Sequence, residues 1–198
     1  VGKNIIHVGV WKRGDERTTY HLIYVDGGTG KAYAKRFNVT SITRDKEYDL
    51  TKGDKESKVL YFAAHPNGES ERVELQLTPG SSARNKVFDF YFEELAIKGR
   101  NAGGNIVTRY PVRKVTQMEV GKSTLGAQKY WYDDVSGRIN KDERGIYMGS
   151  FDTGDQLLTV YSSGEYEISE IDPSGKVEMK DLLYAGKFKP KAAISAVY

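Results

Sequence analysis

The sequence predicts an all-β fold, on three observations. Apolar and polar residues alternate in short runs rich in Thr, Val, Ile and Tyr, the last present 14 times. Glycine-bearing turns separate these runs: the 198 residues include 21 Gly but only 5 Pro. No stretch keeps a helical period over three turns.

Taken in order, Tyr20–Asp26 is an apolar run that ends in the turn Asp26-Gly27-Gly28-Thr29-Gly30, and Lys31–Val39 follows as its hairpin partner. Val59–Ala64, the turn His65-Pro66-Asn67-Gly68 and Glu71–Leu77 predict a second hairpin, with Val73, Leu75 and Leu77 on one face. Thr78–Asn85 is a loop by composition. Val87–Ile97 places Phe88, Phe90 and Phe92 on one face, with Asp89, Tyr91 and Glu93 on the other. Leu95–Val115 predicts two short strands joined by a turn holding Gly99, Arg100, Asn101, Gly103 and Gly104. Gln128–Asp133, Ile146–Phe151, Leu157–Tyr161 and Tyr166–Ile171 complete the strands, the last two joined by Ser162-Ser163-Gly164. Ala192–Tyr198 reads as a strand of an incomplete blade whose partner lies beyond the chain's end.

The length suits one repeat domain over 1–198 with a sizeable core. Every apolar run is broken well short of the roughly 18 residues a membrane helix needs. With no cysteine, disulfide and thiolate chemistry are excluded, which fits a reducing, cytoplasmic setting. The N-terminus has no secretory pattern and does not begin with Met, so the chain is expected to be cut from a longer protein.

Several catalytic motifs fail on spacing. Gly121-Lys122-Ser123 lacks the earlier glycine of a phosphate-binding loop, since that position is Thr116, and Gly30-Lys31 is followed by Ala32. Asp152-Thr153-Gly154 copies the aspartic-protease tripeptide but sits in a polar turn before Asp155. His7, His21 and His65 fall in separate segments with no partner at ligand spacing, so no metal site is expected and His21 reads as a core residue. Glu93-Glu94 and Asp133-Asp134 are neighbours, which point to opposite faces in a strand and so cannot share acid–base work. Asn38-Val39-Thr40 fits a glycosylation triplet without a secretory context.

What remains is charge. Leu95–Lys122 carries Lys98, Arg100, Arg109, Arg113, Lys114 and Lys122 against the single acid Glu119, and Gly30–Arg44 carries Lys31, Lys35, Arg36 and Arg44 with none. Outside these stretches 20 basic and 26 acidic residues leave a net −6, so the positive charge is concentrated and points to an anionic partner. Lys35-Arg36-Phe37-Asn38-Val39 aligns with Thr108-Arg109-Tyr110-Pro111-Val112 at an offset of 73. Leu60–Leu75 aligns with Leu157–Glu170 at an offset of 96, with Gly68 over Gly164. Halved, the offsets give units of about 37 and 48 residues, against roughly 40 to 50 for a four-stranded propeller blade; the alternative is that any all-β chain rich in hairpins yields such matches. Strands and turns presenting these ten cations along one edge could follow a duplex backbone through its phosphates.

The segments FEELAIKGRNAGGNIVTRYPVRKV, YVDGGTGKAYAKRFNVTSITRDKEYDLTKG and STLGAQKYWYDD resemble the C-terminal domain of the A subunit of bacterial type IIA topoisomerases, of the topoisomerase IV or gyrase type found in the Bacteroides group. The resemblance spans nearly the whole chain. It implies a β-pinwheel: about four four-stranded blades in a propeller-like array, expected as an open crescent, whose basic outer edge binds and bends duplex DNA. Lys35-Arg36 and Arg109 would occupy the basic repeat positions, while the Ser163-Gly164-Glu165-Tyr166 hairpin has no cation there. No glutamine-arginine-rich gyrase box is found in the fragment, which leans toward a topoisomerase IV-like subunit or means that the box lies outside this sequence. The resemblance also implies no catalysis and no cofactor in this fragment, ATP and Mg being used by other domains. Its implied partners are the catalytic part of the same A subunit and the ATPase B subunit, in an A2B2 tetramer near the nucleoid. The competing reading from another class is a propeller that binds protein partners; a carbohydrate-active propeller lacks credible carboxylates.

Overall fold

The computed structural model describes residues 5–193. In chain order its strands are β1 (Thr19–Val25), β2 (Ala32–Asn38), β3 (Lys58–His65), β4 (Glu69–Leu77), β5 (Val87–Tyr91), β6 (Ile97–Gly99), β7 (Asn105–Thr108), β8 (Val112–Ser123), β9 (Gln128–Tyr132), β10 (Ile139–Asn140), β11 (Ile146–Phe151), β12 (Gln156–Tyr161), β13 (Tyr166–Glu170) and β14 (Leu182–Lys187). Among the described residues there is no α-helix, only a 3-10 turn at Phe92–Glu94. The protein is all-β, built of small sheets none of which closes among the described residues, consistent with a pinwheel-type array. The described sheets have five, three, three and three strands rather than four each. Residues 194–198 of the expected last strand lie outside the described residues, and Ala192 and Ala193 belong to no strand.

The chain divides into two compact units, residues 1–125 and 126–198. In the first, β1 and β2 form the expected hairpin around the Asp26 turn, with β3 on the far side of β1. Strands β6 (parallel) and β7 (antiparallel) lie end to end along the outer edge of β2. A second sheet runs β5-β4-β8. Alternation sorts the side chains of the first sheet. Ile23 and Ala34 face the second sheet and pack with Val73, Leu75 and Phe92. Leu22, Tyr24, Tyr33 and Phe37 point the other way, where Val39 and Leu50 of the following loop cover them. Both faces of β1 and β2 are therefore buried.

Two expected hairpins dissolve here. Strands β3 and β4 are joined by a tight turn, in which the Gly68 amide donates to the His65 carbonyl at 3.1 Å, yet they enter different sheets. Strands β6 and β7 do not pair with each other but both pair with β2. The glycine-rich segment is thus an edge crossing. Gly104, at φ +82°, lies so close to β2 that a Cβ there would sit 2.5 Å from the Ala34 carbonyl oxygen. The 73-residue repeat matches the interior of β2 to the exposed link after β7, and the 96-residue repeat matches an inter-sheet turn to a true hairpin, β12–β13.

In the second unit, sheets β10-β9-β11 and β13-β12-β14 enclose a core of Tyr130, Tyr132, Ile139, Met148, Phe151, Leu157, Val177 and Ala185.

Candidate nucleic-acid interface

The ten expected contact residues separate into an interior group and a surface group. Lys35 and Arg36 are each 3% exposed, because β2 is a central strand covered on both faces. As neighbours in a strand they point oppositely. Lys35 donates from Nζ to the carbonyls of Arg100 (2.6 Å) and Ala102 (3.1 Å), lying 4.9 Å from the Phe37 ring centroid, and so pins the glycine-rich turn from beneath. Burial pushes its pKa down to about 8, with Asp49 opposing. Arg36 points toward the second sheet, where Nη2 donates to the Gly68 carbonyl at 2.9 Å and to Thr124 Oγ1. The expected common rim of Arg36 and Arg109 therefore fails: Arg36 is interior and Arg109 is exposed.

The turn cation Arg100 is engaged as well. Its guanidinium stacks 3.7 Å over the Tyr48 ring and donates to the Ser41 carbonyl. Lys31 is half-buried, and Arg44 is exposed beside Asp45 at 3.7 Å, a pair screened by water. Lys98, Arg109, Arg113, Lys114 and Lys122 are exposed, and among the described residues their side chains make no ion pair or hydrogen bond. Lys98 sits beside Phe37 and Thr108 beside Ala32 on the same edge of β2, a separation of about 17 Å along the strand. Arg109 follows Thr108 directly. Lys114 lies on β8 opposite Gln76, and Lys122 lies near the other end of that strand.

The three-dimensional pairing also assembles a site that sequence spacing hides. The β1–β3 register brings His21 and His65 onto the face opposite Glu71. Glu71 and His21 are fully buried, and His65 nearly so. His21 Nδ1 donates to Glu71 Oε2 at 2.7 Å, while Tyr61 and Gln117 donate to Oε1, the latter at 2.6 Å. His65 Nε2 lies 3.1 Å from Oε2 without a hydrogen bond. Burial alone would raise the Glu71 pKa, but the groups around it outweigh burial and hold the carboxyl well below its ordinary value. Burial holds His21 down at about 4.

His21, His65 and Glu71 together have the composition of a metal centre. The separation in sequence that argued against one does not survive folding. The ring proton bears on it instead. Arg36 Nε donates to His21 Nε2 at 3.1 Å, so the proton must sit on Nδ1, which then has no lone pair for a metal. Arg36 thus reaches Glu71 only through the imidazole, and Phe92 stacks on the His21 ring at 4.3 Å. In this arrangement the cluster is a hydrogen-bonded ionic core that joins the two sheets of the first unit.

Comparison with known families bears on all of this. A family model for the topoisomerase C-terminal domain of Bacteroidota matches residues 1–119 and 138–198. The unmatched residues include the boundary between the two compact units. Curated proteins offer no match. No helix among the described residues is long and apolar enough to cross a membrane.

Proposed function

Given that the chain belongs to the topoisomerase C-terminal domain family of Bacteroidota, we propose that it is a non-catalytic domain that binds and bends duplex DNA for a type IIA topoisomerase. The observation that carries this reading is the set of exposed, unpaired cations Lys98, Arg109, Arg113, Lys114 and Lys122. They sit in a unit whose residues 1–125 hold 21 basic and 15 acidic side chains. Phosphate contacts need cations that are free to exchange their counterions, which these five are. Lys35 and Arg36 leave the contact set and become positioning residues, Lys35 by holding the turn that carries Arg100. Bending 20 to 30 base pairs costs on the order of 1 to 6 kcal/mol, a cost several phosphate contacts can offset. The domain would thereby present a curved segment to the gate formed by the rest of the A subunit and the ATPase B subunit.

The test is the salt dependence of duplex affinity, measured by fluorescence anisotropy on unrelated sequences of about 30 base pairs. Arg109→Glu with Arg113→Glu should weaken binding at least about tenfold on every sequence and lower the log–log salt slope by about 2. Unchanged affinity and slope would remove both residues from the interface and favour the protein-binding reading.

A further inference from the structure

The turn between β1 and β2 holds an acidic pair that the DNA reading does not use. Asp26 caps the turn: its Oδ2 accepts the Thr29 amide at 3.0 Å and the Thr29 hydroxyl. Its other oxygen, Oδ1, is buried with no hydrogen-bond partner, and the residue as a whole is 1% exposed. Asp54, from the loop leading into β3, sets its carboxylate against this turn, where a Cβ on Gly28 would lie 3.2 Å from its Oδ2, and the neighbouring Asp26 carboxyl is the main cause of a raised pKa at Asp54. The two loops meet backbone to backbone: a Cβ on Gly27 would lie 1.9 Å from the Lys55 carbonyl oxygen, and the Gly27 amide donates to Ser57 Oγ at 3.0 Å.

Two carboxylates cannot hydrogen-bond to each other without a proton or a cation between them. Among the described residues neither has an ion-pair partner within reach. Lys52, whose charge acts on both, is occupied with Tyr33, its Nζ 3.9 Å from the ring centroid. Asp49 also stands near but spends its Oδ1 on the Thr51 amide and hydroxyl. The unpartnered Asp26 oxygen and the adjacent Asp54 carboxylate form an all-oxygen donor pair suited to a hard ion. We propose that Asp26 and Asp54 form the protein half of a divalent-cation site, for Ca2+ or Mg2+, that ties the β1–β2 turn to the loop before β3. Water completes the coordination shell.

The experiment is thermal unfolding of the chain in EDTA and in about 10 mM CaCl2 or MgCl2, with Tb3+ emission excited through tyrosine as a direct readout. Tyr24 neighbours the acidic pair and stacks on Tyr33 at 5.4 Å, so a bound Tb3+ would be sensitised. At least one ion should raise the wild-type midpoint by about 3 °C or more. Asp54→Asn, a change in an exposed loop that leaves the Asp26 cap intact, should lose both the shift and the Tb3+ signal. An equal shift in Asp54→Asn, or no shift in the wild type with either ion, would overturn the site. A wild type indifferent to both ions yet stabilised at pH 5 would assign the pair a shared proton, and would equally overturn it.

Discussion

The two units solve the problem of a small β core in different ways. The first places Glu71, His21, His65 and Arg36 between its sheets and carries a net charge of +6 over residues 1–125. The second fills its interior with tyrosine and aliphatic side chains, and its residues 126–198 hold 9 basic against 12 acidic side chains. From Ser162 to Gly175 there are four acids and no base, so the hairpin β12–β13 is negative where the segment along the edge of β2 is positive. A buried ion pair contributes less than an apolar core of the same volume but is costly to break, because the surviving partner is left charged and dry. Concentrated positive charge and a fragile ionic interior therefore occur in the same unit, while the second unit is built to tolerate change.

The largest expected effect separates these two interiors. Glu71→Ala leaves His21, Tyr61 and Gln117 without their acceptor and should cost about 3 to 5 kcal/mol. Hydrogen exchange should then accelerate in β1, β3 and β4 while β9, β11 and β12 keep their protection. Leu157→Ala in the second unit should cost about 2 to 5 kcal/mol and reverse that pattern. If Glu71→Ala exposed both units alike, the contrast between them would not hold.

Acid should separate the units next. His21 is held neutral with a pKa near 4 against an ordinary 6.5, so between those values the unfolded chain binds the proton and the folded one does not. The stability this gives is complete above pH 6.5 and is lost as pH falls toward 4, roughly 3 kcal/mol in all. Glu71, whose folded pKa is depressed, adds a further loss as the pH falls below its ordinary 4.5. Urea unfolding followed by exchange at pH 7, 5 and 4 should show the first unit weakening more steeply than the second. Parallel losses in both would mean that the His21 cluster does not set the acid sensitivity.

What could be read from the sequence divides along the range of the interactions. The β1–β2 and β12–β13 hairpins, the Phe88–Phe90–Phe92 face and the Val73–Leu75–Leu77 face follow from neighbours a few residues apart, and all are present. The turns at Gly68 and at Gly103-Gly104 look like hairpin turns locally, yet their flanking strands pair elsewhere, because the partner of a strand is chosen by distant residues. His21 and Glu71 meet across 50 residues, beyond any spacing rule. The burial of Lys35 and Arg36 did leave a signal. Ala32, Tyr33, Ala34 and Phe37 are apolar at both parities, the mark of a strand buried on both faces, and charge counting passed over it.

The smallest effect concerns the lysines that each unit draws inward. Lys187 of the second unit is partly exposed and bonds both the Ser150 carbonyl and the Asp155 carboxylate. Lys35 is buried and hydrogen-bonded to carbonyls alone, so its ammonium gains two hydrogen bonds while Asp49, which does not contact it, repays only part of the desolvation. Lys35→Met exchanges those bonds for apolar contact in the same volume and should change stability by no more than about 1 kcal/mol at pH 7. A sharper sign lies in alkali. With a folded pKa near 8 against an ordinary 10.5, wild-type stability should rise from pH 8 toward 10.5 as the unfolded chain releases its proton last, and Lys35→Met should lack that rise. In the variant, exchange at residues 99–104 should quicken, since the turn loses its anchor. Protection there at the wild-type level would show that Gly104 and the β2 edge hold the turn unaided.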